Sequence, residues 1–364
     1  MFDAQRWAAV PFHFWSGVLF IFGSMVGSFL NVCIHRMPLG ESVVSPPSHC
    51  PHCKYSIPWY LNMPLITWLW LRGRCANCKA PIAARYFLVE LLTGGAFLLC
   101  WLAYGRISAG LALVYCLVLA GLIVATAIDF EHFIIPDEIT IGGIFAGFAA
   151  SFLVPALHRT TGIPESMKQS FLGAAVGWGL IYAILVAGKL VFGRQKFNFP
   201  PDSKIIFTET SIQMPDREVP FEELFYRDSD KVVCQARSVK IPGRSFENVE
   251  VRLSPKALQI GGETFNPEEV PRMEIITDQI VIPREAMGFG DVKFMSAIGA
   301  FLGWQATIFS LMLSSIIGAA VGVGLIALKK HEWSAKLPYG PYIALAAIIY
   351  LFGGKEWVWQ LFNR

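Results

Sequence analysis

Two aspartates stand where this chain passes between polar and apolar sequence. Asp291 lies in Met287-Gly288-Phe289-Gly290-Asp291-Val292-Lys293, behind two glycines and directly before an apolar run. Asp129 follows the apolar run 109–128 and opens the segment Asp129-Phe130-Glu131-His132-Phe133-Ile134-Ile135-Pro136-Asp137. An ionisable side chain that close to lipid is costly, which makes each a functional candidate. The competing accounts are a helix cap for Asp291 and a helix end in the headgroup zone for Asp129. If the two meet, they cannot both ionise cheaply and share one proton. Such a pair suits peptide hydrolysis: the ionised member takes a proton from water while the protonated one hydrogen-bonds the scissile carbonyl. The pair titrates as a unit, so spacing does not say which member is the base. Asp137 has a simpler account as the N-cap of the next helix. Glu131 and His132 read as solvated turn residues, and Lys293 as a side chain that snorkels or faces a nearby acid.

The second chemical pattern is a cysteine quartet, Cys50-Pro-His-Cys53 and Cys75-Ala-Asn-Cys78, its two halves separated by 21 residues. Each knuckle lets two thiolates reach one ion, and together they supply the four soft ligands of tetrahedral zinc. Four filled positions leave none for water, so the site reads as structural. His49 and His52 are available as substitute ligands but read as solvated loop residues. Cys33, Cys100 and Cys116 lie in apolar runs, and Cys234 stands alone in a polar region.

The elements that must carry these residues are membrane spans. The chain has 364 residues, 54% hydrophobic and only 16% charged, against about a quarter charged in soluble domains. Candidate spans run over residues 12–32, 86–104, 109–128, 139–157, 171–192, 292–304, 306–328 and 342–352, the sixth and last of them short. The N-terminal segment Met1–Val10 reads as lacking the features of a cleavable signal. Arg36, Lys54, Arg72, Arg74, Lys79 and Arg85 crowd the loop after span one, and Lys329, Lys330 and Lys336 that before span eight. The positive-inside rule then places both loops, Asp129 and Asp291 at the cytoplasmic face and the N-terminus outside. A net charge of +3 gives no support for a nucleic-acid partner.

The expected fold is an all-α polytopic membrane protein of about eight helices with two cytoplasmic modules. Its parts are a first span (1–35), a zinc-binding loop (36–85), spans two to five (86–192), an inserted domain (193–285) and spans six to eight (286–364). The insertion carries 13 Lys/Arg and 16 Asp/Glu. Strand-like composition at 204–208, 231–239, 249–253 and 273–282 makes it a small, mainly β domain.

These motifs closely resemble the type IV prepilin peptidases (prepilin leader peptidase/N-methyltransferases). The resemblance rests on Gly27-Ser28-Phe29-Leu30-Asn31-Val32 with Arg36, the two Cys-x-x-Cys pairs, and Arg85-Tyr86-Phe87-Leu88-Val89-Glu90. It continues through Ile128-Asp129 to Pro136-Asp137, Gly288-Phe289-Gly290-Asp291-Val292-Lys293 and Tyr339-Gly340-Pro341-Tyr342. It implies a bacterial inner-membrane aspartic endopeptidase with Asp129 and Asp291 as its catalytic pair. It implies type IV prepilin or type II secretion pseudopilin substrates, cut after a short basic leader at the cytoplasmic face. It further implies N-methylation of the new N-terminus with S-adenosylmethionine, with Glu90, Gly94 and Gly95 in the region of the methyl donor. The insertion departs from the family, where a short loop is usual, and is read as an added module for substrate leaders or assembly proteins. A non-catalytic scaffold of a pilus or secretion machine is the alternative. A proton-relay transporter fits less well, because transporter acids cluster near mid-membrane.

Overall fold

The computed structural model describes residues 11–192, 194–221, 224–225, 230–283, 288–328 and 337–354. Met1–Val10, Glu285, Met287 and the lysines at 329, 330 and 336 lie outside them. The chain divides into two compact units, one built from the chain up to Tyr182 and from Phe289 onward, the other from Ala183–Gly288.

The first unit is helical. Its elements are α1 (Phe12–Arg36), a one-turn α2 (Ile66–Trp70), α3 (Ala84–Tyr104), α4 (Ala109–His132), α5 (Asp137–Leu153) and α6 (Ile163–Phe192), which runs on into the second unit. After the insertion come α7 (Phe289–Leu302), α8 (Trp304–Ala327) and α9 (Gly340–Ile349), which ends in a π turn at Tyr350–Gly354. Among the described residues, five helices are long and apolar enough to cross a membrane: Phe12–Leu39, Ala84–Tyr104, Ala109–His132, Ile163–Leu190 and Trp304–Ala327. At 14 residues α7 is about 21 Å long. It is buried at Asp291, Val292 and throughout Phe294–Leu302, so neighbouring helices surround it.

Glycines set how closely the helices approach. A Cβ on Gly27 would lie 2.7 Å from the Glu90 Cα, and one on Gly94 would lie 2.4 Å from the Ser24 Oγ, so α1 and α3 meet nearly backbone to backbone. The same holds for α6 against α7, where a Cβ on Gly173 would lie 2.1 Å from the Gly299 carbonyl oxygen. With lipid as apolar as any side chain, close packing through small residues is what holds such helices together.

Three local expectations change. Helix α6 starts at Ile163 rather than Phe171, because Pro164-Glu165 supplies a favourable first turn. Glu131 and His132 belong to the last turn of α4, which Phe133 closes in the left-handed conformation at φ 56°. Asp137 is not an N-cap: that position is Pro136, no side chain caps the helix, and the Asp137 carboxylate accepts from Lys293 Nζ instead.

The second unit is one antiparallel sheet: β1 (Arg194–Asn198), β2 (Lys204–Phe207), β3 (Ser211–Gln213), β4 (Glu218–Pro220), β5 (Val232–Ile241), β6 (Arg244–Leu253), β7 (Leu258–Ile260), β8 (Glu263–Phe265), β9 (Met273–Ile276) and β10 (Gln279–Pro283). The order is β4-β3-β2-β9-β5-β6-β7-β8, with β10 between β1 and β5. Alternating apolar residues of β2, β5, β6 and β9, among them Ile205, Val239, Val251 and Ile275, fill its core. The strand expected over 273–282 is broken at Thr277, whose hydroxyl accepts from the Gln279 N–H and donates to Gln235 O. Cys234 is a core residue rather than a polar-region thiol, and burial pushes its pKa up to about 12.

Candidate active site and metal centre

Asp129 sits one turn before the end of α4 and Asp291 in the first turn of α7, 5% and 8% exposed. One residue is the common neighbour of their surroundings. Ile135, buried in the turn between α4 and α5, has its Cδ1 about 3.1 Å from where a Cβ on Gly340 would stand. The backbone of the same residue lies 3.6 Å from where a Cβ on Gly290 would stand. Gly340 in turn donates its backbone N–H to Asp129 Oδ2 at 2.8 Å. Gly340 thus lies against both Asp129 and Ile135, and Ile135 in turn packs against the glycine before Asp291. The contact at Gly290 is ordinary van der Waals packing, so the tight glycine of this site is Gly340. It stood in the sequence as a glycine before Pro341 at the head of an apolar run. Ile135 carried no chemical signal at all.

Two ion pairs flank this cluster. Arg85, at the start of α3, pairs with Glu131 at the end of α4. Lys293 pairs with Asp137 and lies over the Phe289 ring at 5.3 Å. Residues two apart on a helix face different ways, so Lys293 and Glu131 are turned from the aspartates they follow. An apolar cleft of about 360 Å³ opens between α1, α4, α5 and α7, lined by Leu30, Gly121, Glu138, Gly142, Phe294 and Ile298.

The four cysteines of the loop come together. Their sulfurs all lie within 4.8 Å of one another, with Cys50–Cys78 at 3.8 Å and Cys53–Cys75 at 4.0 Å. A zinc–sulfur bond of about 2.3 Å in a tetrahedron needs sulfur–sulfur edges of about 3.8 Å, so this donor set fits that ion. Each knuckle is closed the same way. Lys54 N–H donates to Cys50 O and Lys79 N–H to Cys75 O, and both lysines take a left-handed φ, 56° and 61°. The Tyr55 N–H aimed at Cys53 holds that thiol down at about 6, which favours the ligating thiolate. Asn77 Nδ2 adds a second donor to Cys53 from the opposite knuckle. His49 instead contacts the Pro47 carbonyl.

Buried polar side chains tie the loop to the helices. Arg36 donates to Ser42 O and Pro46 O. Asn31 bridges α1 to the Tyr86 carbonyl at 3.0 Å. Glu90 accepts from the Leu65 N–H at 2.7 Å, so it anchors the loop to a backbone amide and not to a basic side chain. Leu65 itself has φ 62°, a strained conformation for a branched residue. Of the three residues that the resemblance associates with the methyl donor, Glu90 holds the loop and Gly94 packs against α1, while a Cβ on Gly95 would meet nothing within 4 Å.

The chain matches two family profiles. That of the bacterial peptidase A24 N-terminal domain covers residues 21–104, and that of the type IV leader peptidase family covers 116–196 and 273–323, leaving most of the β unit between them. A prepilin leader peptidase/N-methyltransferase of Aeromonas hydrophila is 30% identical over 372 aligned positions, which cover 95% of this chain and 93% of that one. Its counterpart in Pseudomonas aeruginosa is 25% identical over 92% of this chain and 89% of its own. One from Myxococcus xanthus is 42% identical over 49% of this chain and 50% of its own. No solved structure matches. Identity sustained along nearly the whole of both chains, with the cysteine loop and both acidic segments in place, means that this chain belongs to the prepilin leader peptidase/N-methyltransferase family.

Proposed function

We propose that Asp129 and Asp291 form the catalytic pair of a membrane-embedded aspartic endopeptidase that removes the leader of type IV prepilins or type II secretion pseudopilins. The observation that supports this reading is the chain of contacts from Asp129 through Gly340 and Ile135 to Gly290, the residue before the buried Asp291. One carboxylate takes a proton from water, the resulting hydroxide adds to the scissile carbonyl, and the protonated partner supports the developing oxyanion. Collapse of the tetrahedral adduct returns a proton to the leaving amine and breaks the C–N bond. Apolar helices up to eight in number, oriented by the loop lysines and arginines with the N-terminus outside, hold the pair at the cytoplasmic face of a bacterial inner membrane. A prepilin carries its scissile bond between a polar leader and an apolar helix, and so presents it at that depth. The cleft between α1, α4, α5 and α7 offers such a helix an apolar surface reached from lipid.

The family name includes a second activity, N-methylation of the new amino terminus, and this chain has the cysteine loop that accompanies it. S-adenosylmethionine supplies the methyl group in such chemistry. Zinc at Cys50, Cys53, Cys75 and Cys78 holds the loop in shape, and the β unit serves as a docking module for assembly proteins.

The test is incubation of the purified protein with a prepilin in detergent, with and without S-adenosylmethionine, read by intact mass. Wild type gives the leader-free product and, with the methyl donor, the same product one methyl group heavier. Asp129→Asn and Asp291→Asn leave the precursor uncut. Full cleavage by both variants overturns the assignment.

A further inference from the structure

We infer that Gly340 is a positioning residue for the peptidase reaction: its backbone amide pins Oδ2 of Asp129, leaving Oδ1 as the oxygen that works on water. This inference rests on the catalytic reading of Asp129. Gly340 is the first residue of α9, and the amides of a first turn have no partner within their own helix. The next residue, Pro341, has no N–H to offer. Tyr342 and Ile343 N–H both bond the Tyr339 carbonyl. The Gly340 amide is directed instead across the bundle, at 2.8 Å, to a carboxylate 211 residues earlier.

The arrangement requires a glycine. A Cβ at position 340 would stand 2.8 Å from Asp129 Oδ2 and 3.1 Å from Ile135 Cδ1. Both are the far ends of side chains, not backbone. Alanine can therefore be accommodated without disrupting the helices, but only by rotating the Asp129 carboxylate out of place. The entry of α9 is fixed from behind, since the Tyr339 hydroxyl lies 2.8 Å from Ser314 Oγ and 3.0 Å from Ser315 Oγ on α8. The amide cannot easily follow the carboxylate it loses.

The test compares Gly340→Ala with wild type, Asp129→Asn and Gly353→Ala. Position 353 is the control, because a Cβ there would meet nothing within 4 Å. Steady-state cleavage of a prepilin is measured alongside methylation of an already mature pilin, a reaction in which no peptide bond is broken. Gly340→Ala is expected to lower kcat about 10- to 100-fold, with KM within threefold and methylation unchanged. Gly353→Ala is expected to match wild type in all three. Wild-type kcat in Gly340→Ala, with Asp129→Asn inactive, overturns the positioning role and leaves the catalytic assignment standing. A parallel fall of cleavage and methylation also overturns it, by making Gly340 a folding residue. Cleavage by Asp129→Asn overturns the underlying reading itself.

Discussion

Asp129 and Asp291 are each followed, two residues later, by a charged side chain that serves a different helix. Lys293 reaches Asp137, whose side chain is 58% exposed, and Glu131 reaches Arg85 with 44% of its side chain exposed. A pair open to solvent on one side contributes little, about 0–1 kcal/mol, and asparagine keeps an acceptor oxygen for the largely buried Lys293. Asp137→Asn should therefore leave thermal stability within ~1 kcal/mol of wild type and leader cleavage within about threefold. A melting curve and a cleavage assay on the same preparation check both, and loss of cleavage comparable to Asp129→Asn would make Asp137 part of the chemistry. The sequence separates these acids by what surrounds each, since Asp129 ends an apolar run and Asp137 follows a proline. It could not show where Asp137 points, because its partner lies 156 residues away. Glu90 illustrates the same limit. Nothing near it in the sequence shows its partner, and its carboxylate holds the amide of a strained leucine. Glu90→Ala removes that acceptor from a half-buried amide and should cost about 1–3 kcal/mol, read as earlier unfolding or as protease sensitivity of residues 58–72, while Glu90→Gln retains an acceptor oxygen and should cost less.

At the scale of elements, the cysteine loop was readable because metal ligation fixes spacing along the chain, and the five long helices were readable because lipid demands continuous apolar runs. Helix-to-helix distance was not readable, since it depends on which glycine faces which backbone. The α6–α7 contact shows this most sharply. A methyl group at Gly173 or Gly299 would stand 2.1 Å from the other residue's carbonyl oxygen, which is backbone and cannot swing away. Gly173→Ala and Gly299→Ala should therefore each destabilise by at least about 1–3 kcal/mol. Gly179→Ala, on the same helix with nothing within 4 Å of its Cβ, should be neutral or stabilise by up to ~1 kcal/mol through helix propensity. Thermal melts in one detergent rank the three, and equal melting points would contradict the packing. The loop makes a different prediction. Purified protein should hold about one zinc per chain by elemental analysis, and Cys50→Ser with Cys75→Ser should lose it. The long helices carry their own hydrogen bonds, so helical content should survive while the loop becomes the first site of proteolysis.

The molecule as a whole is a helical enzyme interrupted by a β domain, and the way the chain enters and leaves that domain explains how the interruption is tolerated. Strands β1 and β10 pair in antiparallel register from Arg194↔Pro283 to Asn198↔Gln279. The outermost pair thus brings the two ends of the insertion to about 5 Å between Cα atoms, little more than the 3.8 Å of one peptide step. Some ninety residues of added sheet therefore begin and end side by side. The sheet also has a core of its own, from Ile205 to Ile282, and the type IV leader peptidase profile passes over most of it. The insertion's β character was legible from branched residues between Pro, Gly and Asp clusters. Its short strands β3, β4, β7 and β8, three residues each, were not, because so few residues show no alternation to read. Replacing residues 195–282 by a Gly/Ser linker of about four residues should then give a protein whose helical unit folds, with purified prepilin cleavage within about threefold of wild type. If the sheet recruits assembly proteins, the same variant should fail in pilus or secretion assembly in cells while still processing its substrate. A linker variant that still methylates mature pilin yet cannot cleave prepilin would instead place the β domain in the peptidase reaction.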